Sequence, residues 1–173
     1  MALVVLIKGI NVGGHRTFRP SLLAQQLKRF DVINIGAAGT FVVRRSISRV
    51  ELRAEIERRL PFQADVMICS GNDVLRLVSG DPFAGQASRP DVVQFVSVMK
   101  RNRKLMFPLP LTLPAKGHWC LKVLAYYDRF VLGLHRREMK AISYLGQLEE
   151  AVGVPLATRS WKTILAIGRQ LEA

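Results

Sequence analysis

The sequence predicts a mixed α/β (α+β) fold: a ferredoxin-like β-α-β-β-α-β half with an antiparallel sheet, followed by a smaller second α/β half. Short apolar runs of strand length alternate with apolar stripes of helical spacing along residues 1–79, and a second such series follows residues 80–90. Hydrophobic residues make up 49% of the chain, enough for a sizeable core. We expect a ferredoxin-like domain over residues 1–79 and a second α/β subdomain with C-terminal helices over residues 80–173.

Local sequence signals predict the order of strands and helices in the first half. Pro20 suits a first helical turn, and Ser48 with Glu51 forms a capping box at the start of the next helix. The glycines in residues 36–39 mark a hairpin between two β-branched runs. The strands are predicted over residues 2–7, 31–35, 40–44 and 63–69, and the helices over 20–30 and 48–60. This order is that of the split β-α-β unit.

The second half repeats this alternation less regularly. A short helix over residues 70–78 is followed by a buried strand over 92–99, an extended proline-containing loop over 105–117, and a hairpin over 119–135. A helix ends at Gly153 and Pro155, and a last helix is predicted over residues 158–171, where Trp161 begins an apolar stripe typical of core packing. No repeat is visible by identity, so a shared layout of the two halves stays open.

Charge is the strongest compositional signal. The chain carries 26 Lys and Arg against 13 Asp and Glu, for a net charge of +13, and the excess is spread over both halves. A basic surface favours an anionic partner, although it can also serve solubility alone. No apolar stretch approaches the ~20 residues that span a bilayer. With two unpaired cysteines and no signal-peptide pattern, the sequence predicts a cytoplasmic protein without a membrane partner.

Catalytic and metal-binding patterns are missing from the sequence. There is no G-x-S-x-G elbow, C-x-x-C pair or H-E-x-x-H motif, and the three histidines are far apart in the chain. Cys69 and Cys120 are expected to be reduced and buried. We therefore predict no catalytic residue, no metal and no cofactor, and the sequence does not indicate an oligomeric state.

A glycine-rich segment directly follows the first strand. Residues Lys8–Gly14 contain three glycines and an asparagine, which can turn several backbone N–H groups toward one anion. The spacing from Gly9 to Gly14 is that of a P-loop, but His15 and Arg16 replace the lysine and the hydroxyl residue, which argues against nucleotide triphosphate hydrolysis. The segment is either an anion cradle or only a tight turn.

Two segments near the ends of the chain resemble one family. Residues Leu6–Gly14 read L-I-K-G-I-N-V-G-G, and Ala157–Ile164 read A-T-R-S-W-K-T-I. They are similar to the opening L-x-R-G-I-N-V-G-G and the closing a-T-T-R-N-W-x-T-v of a widespread bacterial family of unknown function. The resemblance covers essentially the full length and implies a two-part α/β protein of ferredoxin-like layout, with no established catalysis or cofactor.

Three departures from that family pattern bear on a common ligand. Lys8 replaces the motif arginine and loses its planar fork, and Ser160 replaces the asparagine beside the tryptophan. The family's Q-S-G-N segment is here Gly36–Thr40, which lacks most of those polar side chains. If the family shares a ligand, this chain binds it differently or has lost it.

Two functions stay open, and we favour the first because of the net charge. One is a basic nucleic-acid-binding module that contacts the phosphate backbone through Arg44, Arg45, Lys100, Arg101, Arg103 and Lys104. Sequence-reading RNA recognition is disfavoured because the aromatic RNP run is absent. The alternative is a binding protein or enzyme for a phosphorylated or carboxylate small molecule, held by Lys8, Gly9, Asn11, Gly13, Gly14, Arg16 and Arg159.

Overall fold

The computed structural model describes residues 1–9 and 18–173, which form a mixed α+β fold with two antiparallel sheets. This confirms the predicted fold class. The strands are β1 Leu3–Ile7, β2 Val32–Ile35, β3 Thr40–Val43, β4 Val66–Ser70, β5 Val92–Met99, β6 Leu111–Leu113, β7 Leu121–Tyr127, β8 Phe130–Arg136 and β9 Leu156–Ser160. The α-helices are α1 Pro20–Gln26, α2 Arg49–Arg59, α3 Gly71–Ser79, α4 Lys140–Val152 and α5 Trp161–Glu172.

The chain divides into two compact units. The first unit comprises Met1–Gly80 and Lys162–Ala173, and the second comprises Asp81–Trp161. No helix in the described part of the chain is both long and apolar enough to cross a membrane.

The first unit has the predicted β-α-β-β-α-β order, with its sheet arranged β2-β3-β1-β4. Apolar side chains of β1, β3 and β4 pack against α1 and α2, with Leu23, Leu52 and Ile56 contributed by the helices. Helix α2 begins as predicted, since the hydroxyl of Ser48 accepts a hydrogen bond from the Glu51 amide at 3.1 Å. The local sequence signals therefore predict the elements of this unit correctly. One face of its sheet forms a single core with α1 and α2.

Helix α5 after Trp161 is grouped with the first unit, whereas the sequence predicts one second subdomain over residues 80–173. A β-carbon on Gly71 at the start of α3 would come within 2.8 Å of the Leu171 side chain. Because Gly71 has no side chain, Leu171 of α5 can pack against it. Gly168 likewise faces Val78 of α3. These contacts join elements about 100 residues apart in the chain, and sequence spacing does not reveal them.

Glu55 of α2 forms ion pairs with three arginines of the first unit. Its carboxylate accepts hydrogen bonds from Arg29 at 2.9 Å, from Arg58 at 2.8 Å and from Arg59. The hydrogen bond from Arg59 lowers the pKa of Glu55, and the positive charges of Arg58 and Arg29 act in the same direction, against the raising effect of burial. Glu55 therefore stays ionised under conditions in which an isolated glutamate takes up a proton.

The lowered pKa of Glu55 predicts a pH-dependent stability difference. Because the folded state holds the carboxylate ionised, the stabilisation is complete above the unfolded-state pKa and is lost as pH falls through the folded-state pKa. We expect Glu55→Gln to have a lower urea midpoint than the wild type at pH ~7, and the gap to narrow as the pH falls below the usual range of a glutamate. Glu57→Gln, on the same helix but 4.0 Å from Arg53 and half-exposed, is the control and should follow the wild type throughout. A gap that stays constant with pH would contradict this role of Glu55.

The second unit repeats the layout of the first. Its sheet has the order β6-β7-β8-β5-β9, in which β7-β8-β5-β9 corresponds to β2-β3-β1-β4. Along the chain, each of the two hairpins is followed by a helix, a further strand and another helix that starts directly after a serine, Ser70 or Ser160, although the last of these helices is grouped with the first unit. A segment containing the edge strand β6 takes the place of α1, and α4 packs Leu148 and Val152 on the sheet.

The end of the chain differs from the prediction at one element. The predicted helix over residues 158–171 begins only at Trp161, and Leu156–Ser160 form the strand β9. This strand pairs with β5, and the hydroxyls of Ser97 and Thr158 are 2.6 Å apart across the pair. Trp161 packs its ring edge-on against Phe83, with ring centroids 5.2 Å apart, so its predicted core role is confirmed.

Candidate functional site

Four of the six predicted nucleic-acid-binding residues lie at one end of the second unit's sheet. Strand β5 ends there, and its last amide, Met99 N–H, donates to the carbonyl of Arg129 at 2.8 Å. The next amide, that of Lys100, donates to the Pro155 carbonyl at 2.9 Å, just before β9. These bonds bring the segment after β5 next to the β7–β8 turn. We call this region the basic end, formed by Lys100, Arg101, Arg103, Lys104 and Arg129.

The backbone of the basic end is held by arginine side chains. Arg129 donates from Nε to the Met99 carbonyl and from Nη2 to the Lys100 carbonyl, both at 3.0 Å. Arg103 lies beside Gly153, whose positive φ of 86° ends α4 and whose missing side chain makes room for the guanidinium. Arg101 and Lys104 are exposed. The segment thus presents exposed cations directly after backbone carbonyls that Arg129 holds.

An aromatic side chain and acidic groups complete the surroundings of the basic end. Tyr127, the last residue of β7, is 54% exposed. Asp128 occupies the turn with a positive φ of 51°, and Glu149 accepts a hydrogen bond from the Leu156 amide at 3.1 Å. Glu149 therefore supports the backbone at the start of β9.

The other two predicted nucleic-acid-binding residues belong to the first unit. Arg44 donates from Nη2 to the backbone carbonyl of Gln170 at 2.9 Å and to its side-chain oxygen at 3.2 Å, so it holds the end of α5. Arg45 is exposed, and its amide donates to the Phe30 carbonyl at 3.1 Å. Of this pair, Arg45 alone keeps an exposed side chain.

The predicted small-molecule site falls largely outside the described residues, which exclude Asn11, Gly13, Gly14 and Arg16. Lys8 is half-buried, with its amide bonded to the Asp65 carbonyl at 3.0 Å, and Gly9 has a positive φ of 69°. The small-molecule hypothesis therefore stays a prediction.

Arg159, the remaining member of that predicted site, lies on β9 and not inside the last helix. Its side chain is buried in the second unit and donates from Nη1 to the Thr158 carbonyl at 2.9 Å. Burial lowers the pKa of the Arg159 guanidinium to about 10.

The opposite end of the second unit's sheet holds a polar cluster that the sequence did not reveal. His118 Nε2 lies 2.8 Å from Oε1 of Glu138, and the thiol of Cys120 lies 3.8 Å from Oε2 of the same carboxylate. The three side chains place one potential ligand atom each within 4.8 Å of the others. The hydrogen bond from His118 lowers the pKa of Glu138, against the raising effect of burial.

Strand pairing explains why this cluster escaped sequence reasoning. His118 and Cys120 precede β7, whereas Glu138 follows β8, 18 residues further along the chain. The Arg136 amide donates to the Cys120 carbonyl at 2.9 Å, which closes the open end of the hairpin and brings the three residues together. The H-x-C spacing was the only local signal, and it is too common to indicate a site.

Comparison with known proteins identifies the family. A family model described as a protein of unknown function, DUF1697, matches residues 1–106, more than half of the chain. The chain belongs to the DUF1697 family. The solved structure of the conserved bacterial protein SP0830 from Streptococcus pneumoniae is also similar, with a TM-score of 0.59 and 16% identity over 98% of each chain. At this identity the likeness shows the fold alone. No curated protein matches the chain.

The DUF1697 match reaches from β1 to the segment after β5, so it includes the basic residues 100–104. Arg129 and the cluster of His118, Cys120 and Glu138 lie beyond the matched residues. DUF1697 membership thus assigns no activity to either end of the second unit.

Proposed function

We propose that this protein binds the phosphate backbone of nucleic acid at the basic end, with a preference for single strands. The observation that carries the proposal is the presence of four cationic residues, Lys100, Arg101, Arg103 and Lys104, on one segment whose start is held by the bonds of Arg129 to the Met99 and Lys100 carbonyls. Phosphate contacts of this kind supply affinity without reading the base sequence.

Charge and exposure support backbone binding at this position. Arg101 and Lys104 are exposed, and so is Met106, two residues after Lys104. Each lysine or arginine that neutralises a phosphate releases counterions, which favours binding at low salt. A net charge of +13 adds long-range attraction for any polyanion.

Tyr127 is the basis for the single-strand preference. Its ring ends β7 beside the turn that carries Arg129, and about half of it is open to solvent. Unpaired bases stack on such rings, at about 1–3 kcal/mol per base, whereas duplex bases are already stacked on each other. We therefore expect Tyr127→Ala to weaken binding to single strands and to leave duplex binding unchanged.

The decisive experiment measures binding of labelled mixed-sequence DNA and RNA oligonucleotides across a salt series. Arg101→Glu/Lys104→Glu is the test variant, because Arg103 contacts Gly153 and Arg129 supports the backbone. We expect at least tenfold weaker binding at low salt and a log–log salt slope shallower by about 1.4 on single strands. Lys28→Glu/Lys162→Glu, two exposed lysines of the first unit, makes the same change in net charge and serves as the control.

Two results would overturn the proposal. One is no binding by the wild type even at low salt, which would direct the search to a thermal-shift screen of phosphorylated metabolites. The other is an equal loss in the test and control variants, which would show that net charge acts without a defined site.

A further inference from the structure

The cluster at the open end of the β7–β8 hairpin combines three kinds of ligand atom. Cys120 supplies a sulfur, His118 an imidazole nitrogen and Glu138 a carboxylate oxygen. Thiolate, imidazole and carboxylate are the three ligand types that Zn²⁺ takes in proteins. Deprotonated Cys120 and ionised Glu138 together carry two negative charges, which match the charge of a divalent ion.

The distances suit an ion with small side-chain movements. Zn–S and Zn–N bonds of about 2.3 and 2.0 Å at a tetrahedral angle place the two ligand atoms about 3.5 Å apart. The ligand atoms of the cluster are now within 4.8 Å of one another, and the Cys120 sulfur is 3.8 Å from Glu138. The His118 side chain is 61% exposed, so it can close the difference by rotation.

The backbone around the cluster is pre-organised. The Cys120 amide donates to the Leu113 carbonyl at 2.8 Å, and its own carbonyl accepts from Arg136. Between the two ligands of the H-x-C segment, Trp119 is fixed by its carbonyl, which accepts from Arg136 Nε at 2.7 Å. The Arg136 guanidinium also lies 4.2 Å from the centre of the Trp119 ring.

Burial divides the cluster into an anchored side and an accessible side. Cys120 is 3% exposed, whereas the side chains of His118 and Glu138 are 61% and 37% exposed. Solvent therefore reaches the cluster past His118 and Glu138. An open cavity of about 430 Å³ also borders Glu138, lined in part by Val93, Ile142 and Leu145.

We propose that His118, Cys120 and Glu138 form a three-ligand site for a borderline divalent metal ion, Zn²⁺ in the first place, with one coordination position open to solvent or a ligand. Binding replaces the hydrogen bonds within the cluster by metal bonds and releases the thiol proton of Cys120. This site is independent of the proposed nucleic-acid binding at the other end of the sheet.

The test titrates Zn²⁺ into the untagged, chelator-treated full chain by calorimetry, and uses Co²⁺ as an optical probe. We expect one ion per chain, affinity that falls as pH is lowered, and a thiolate-to-cobalt charge-transfer band. His118→Ala and Glu138→Gln change exposed side chains and should each weaken Zn²⁺ binding at least ~100-fold, since even changes to outer-shell partners cost 10–100-fold. Cys120→Ser should abolish the charge-transfer band.

Matched controls separate the site from adventitious binding. Cys69→Ala removes the other cysteine, and His135→Gln removes a histidine of the same unit whose Nδ1 lies 2.9 Å from the Arg136 carbonyl. Both should keep the Zn²⁺ affinity and the Co²⁺ band. Absence of a 1:1 complex, or unchanged affinity in folded His118→Ala and Glu138→Gln, would overturn the proposal.

Discussion

Replacing Gly133 by alanine is expected to destabilise the protein by about 3 kcal/mol, near the upper end for overpacking a core. Gly133 lies in β8 opposite Phe95, and a β-carbon there would come within 2.2 Å of the Lys122 carbonyl oxygen and 2.6 Å of the Phe95 ring. The carbonyl belongs to β7, which is paired with β8, so it cannot withdraw without loss of that pairing. The Phe95 ring is fully buried in the second unit's core.

Urea unfolding measures this effect, and Gly146→Ala provides the opposite case. Gly146 lies inside α4 and is exposed, with no atom within 4 Å of an added β-carbon. Alanine favours the helix by about 0.5–1 kcal/mol, so this variant should unfold at higher urea than the wild type. A wild-type midpoint for Gly133→Ala would refute the packing of Phe95 over that position.

Leu52→Ala should cost about 2–5 kcal/mol, the usual range for truncating a fully buried leucine. Leu52 lies in α2 and is fully buried in the first unit's core, beside Ile56 of the same helix and the apolar face of the sheet. Its loss leaves a cavity between helix and sheet, because the paired strands cannot move inward. The midpoint of urea unfolding should fall accordingly.

Val50→Ala on the same helix is the matched control. Val50 is 82% exposed, so its truncation removes almost no buried area and should change stability by less than about 0.5 kcal/mol. Equal losses in the two variants would mean that α2 is not oriented with Leu52 toward the sheet.

Elements with strong local signals were predictable from the sequence. Ser48 and Glu51 mark the start of α2, and Gly153 adopts the positive φ that ends α4. The apolar run of β5 has the predicted bounds, Val92–Met99. In each case the residues that specify the element lie within it or next to it, so no knowledge of distant partners is needed.

Strand β9 shows why other elements were missed. The run Leu156–Ser160 contains Thr158 and Arg159 and lacks a clear apolar alternation, so the helical stripe that follows dominated the prediction. The strand forms because residues 156–160 pair with β5. The hydroxyls of Ser97 and Thr158 are in contact across this pair. Tertiary pairing overrides weak local preference in such a segment.

The candidate sites divide in the same way. The run of basic residues 100–104 is visible in the sequence, but its position beside Arg129 depends on the hydrogen bonds at the end of β5. The cluster of His118, Cys120 and Glu138 has only the H-x-C spacing as a local signal, which is too common to indicate a site. The three residues meet because β7 and β8 pair antiparallel. This pairing places the end of β8, and therefore Glu138, beside Cys120 at the start of β7.

The fold class, the order of elements in the first unit, the basic charge and the burial of Trp161 follow from the sequence alone, because periodicity, caps and composition are local properties. The grouping of α5 with the first unit, the bond of Arg44 to Gln170 and the meeting of three potential metal ligands at one end of a sheet follow from tertiary contacts. These features depend on which strands pair and in which register, and that choice is made by hydrogen bonding and burial between residues far apart in the chain.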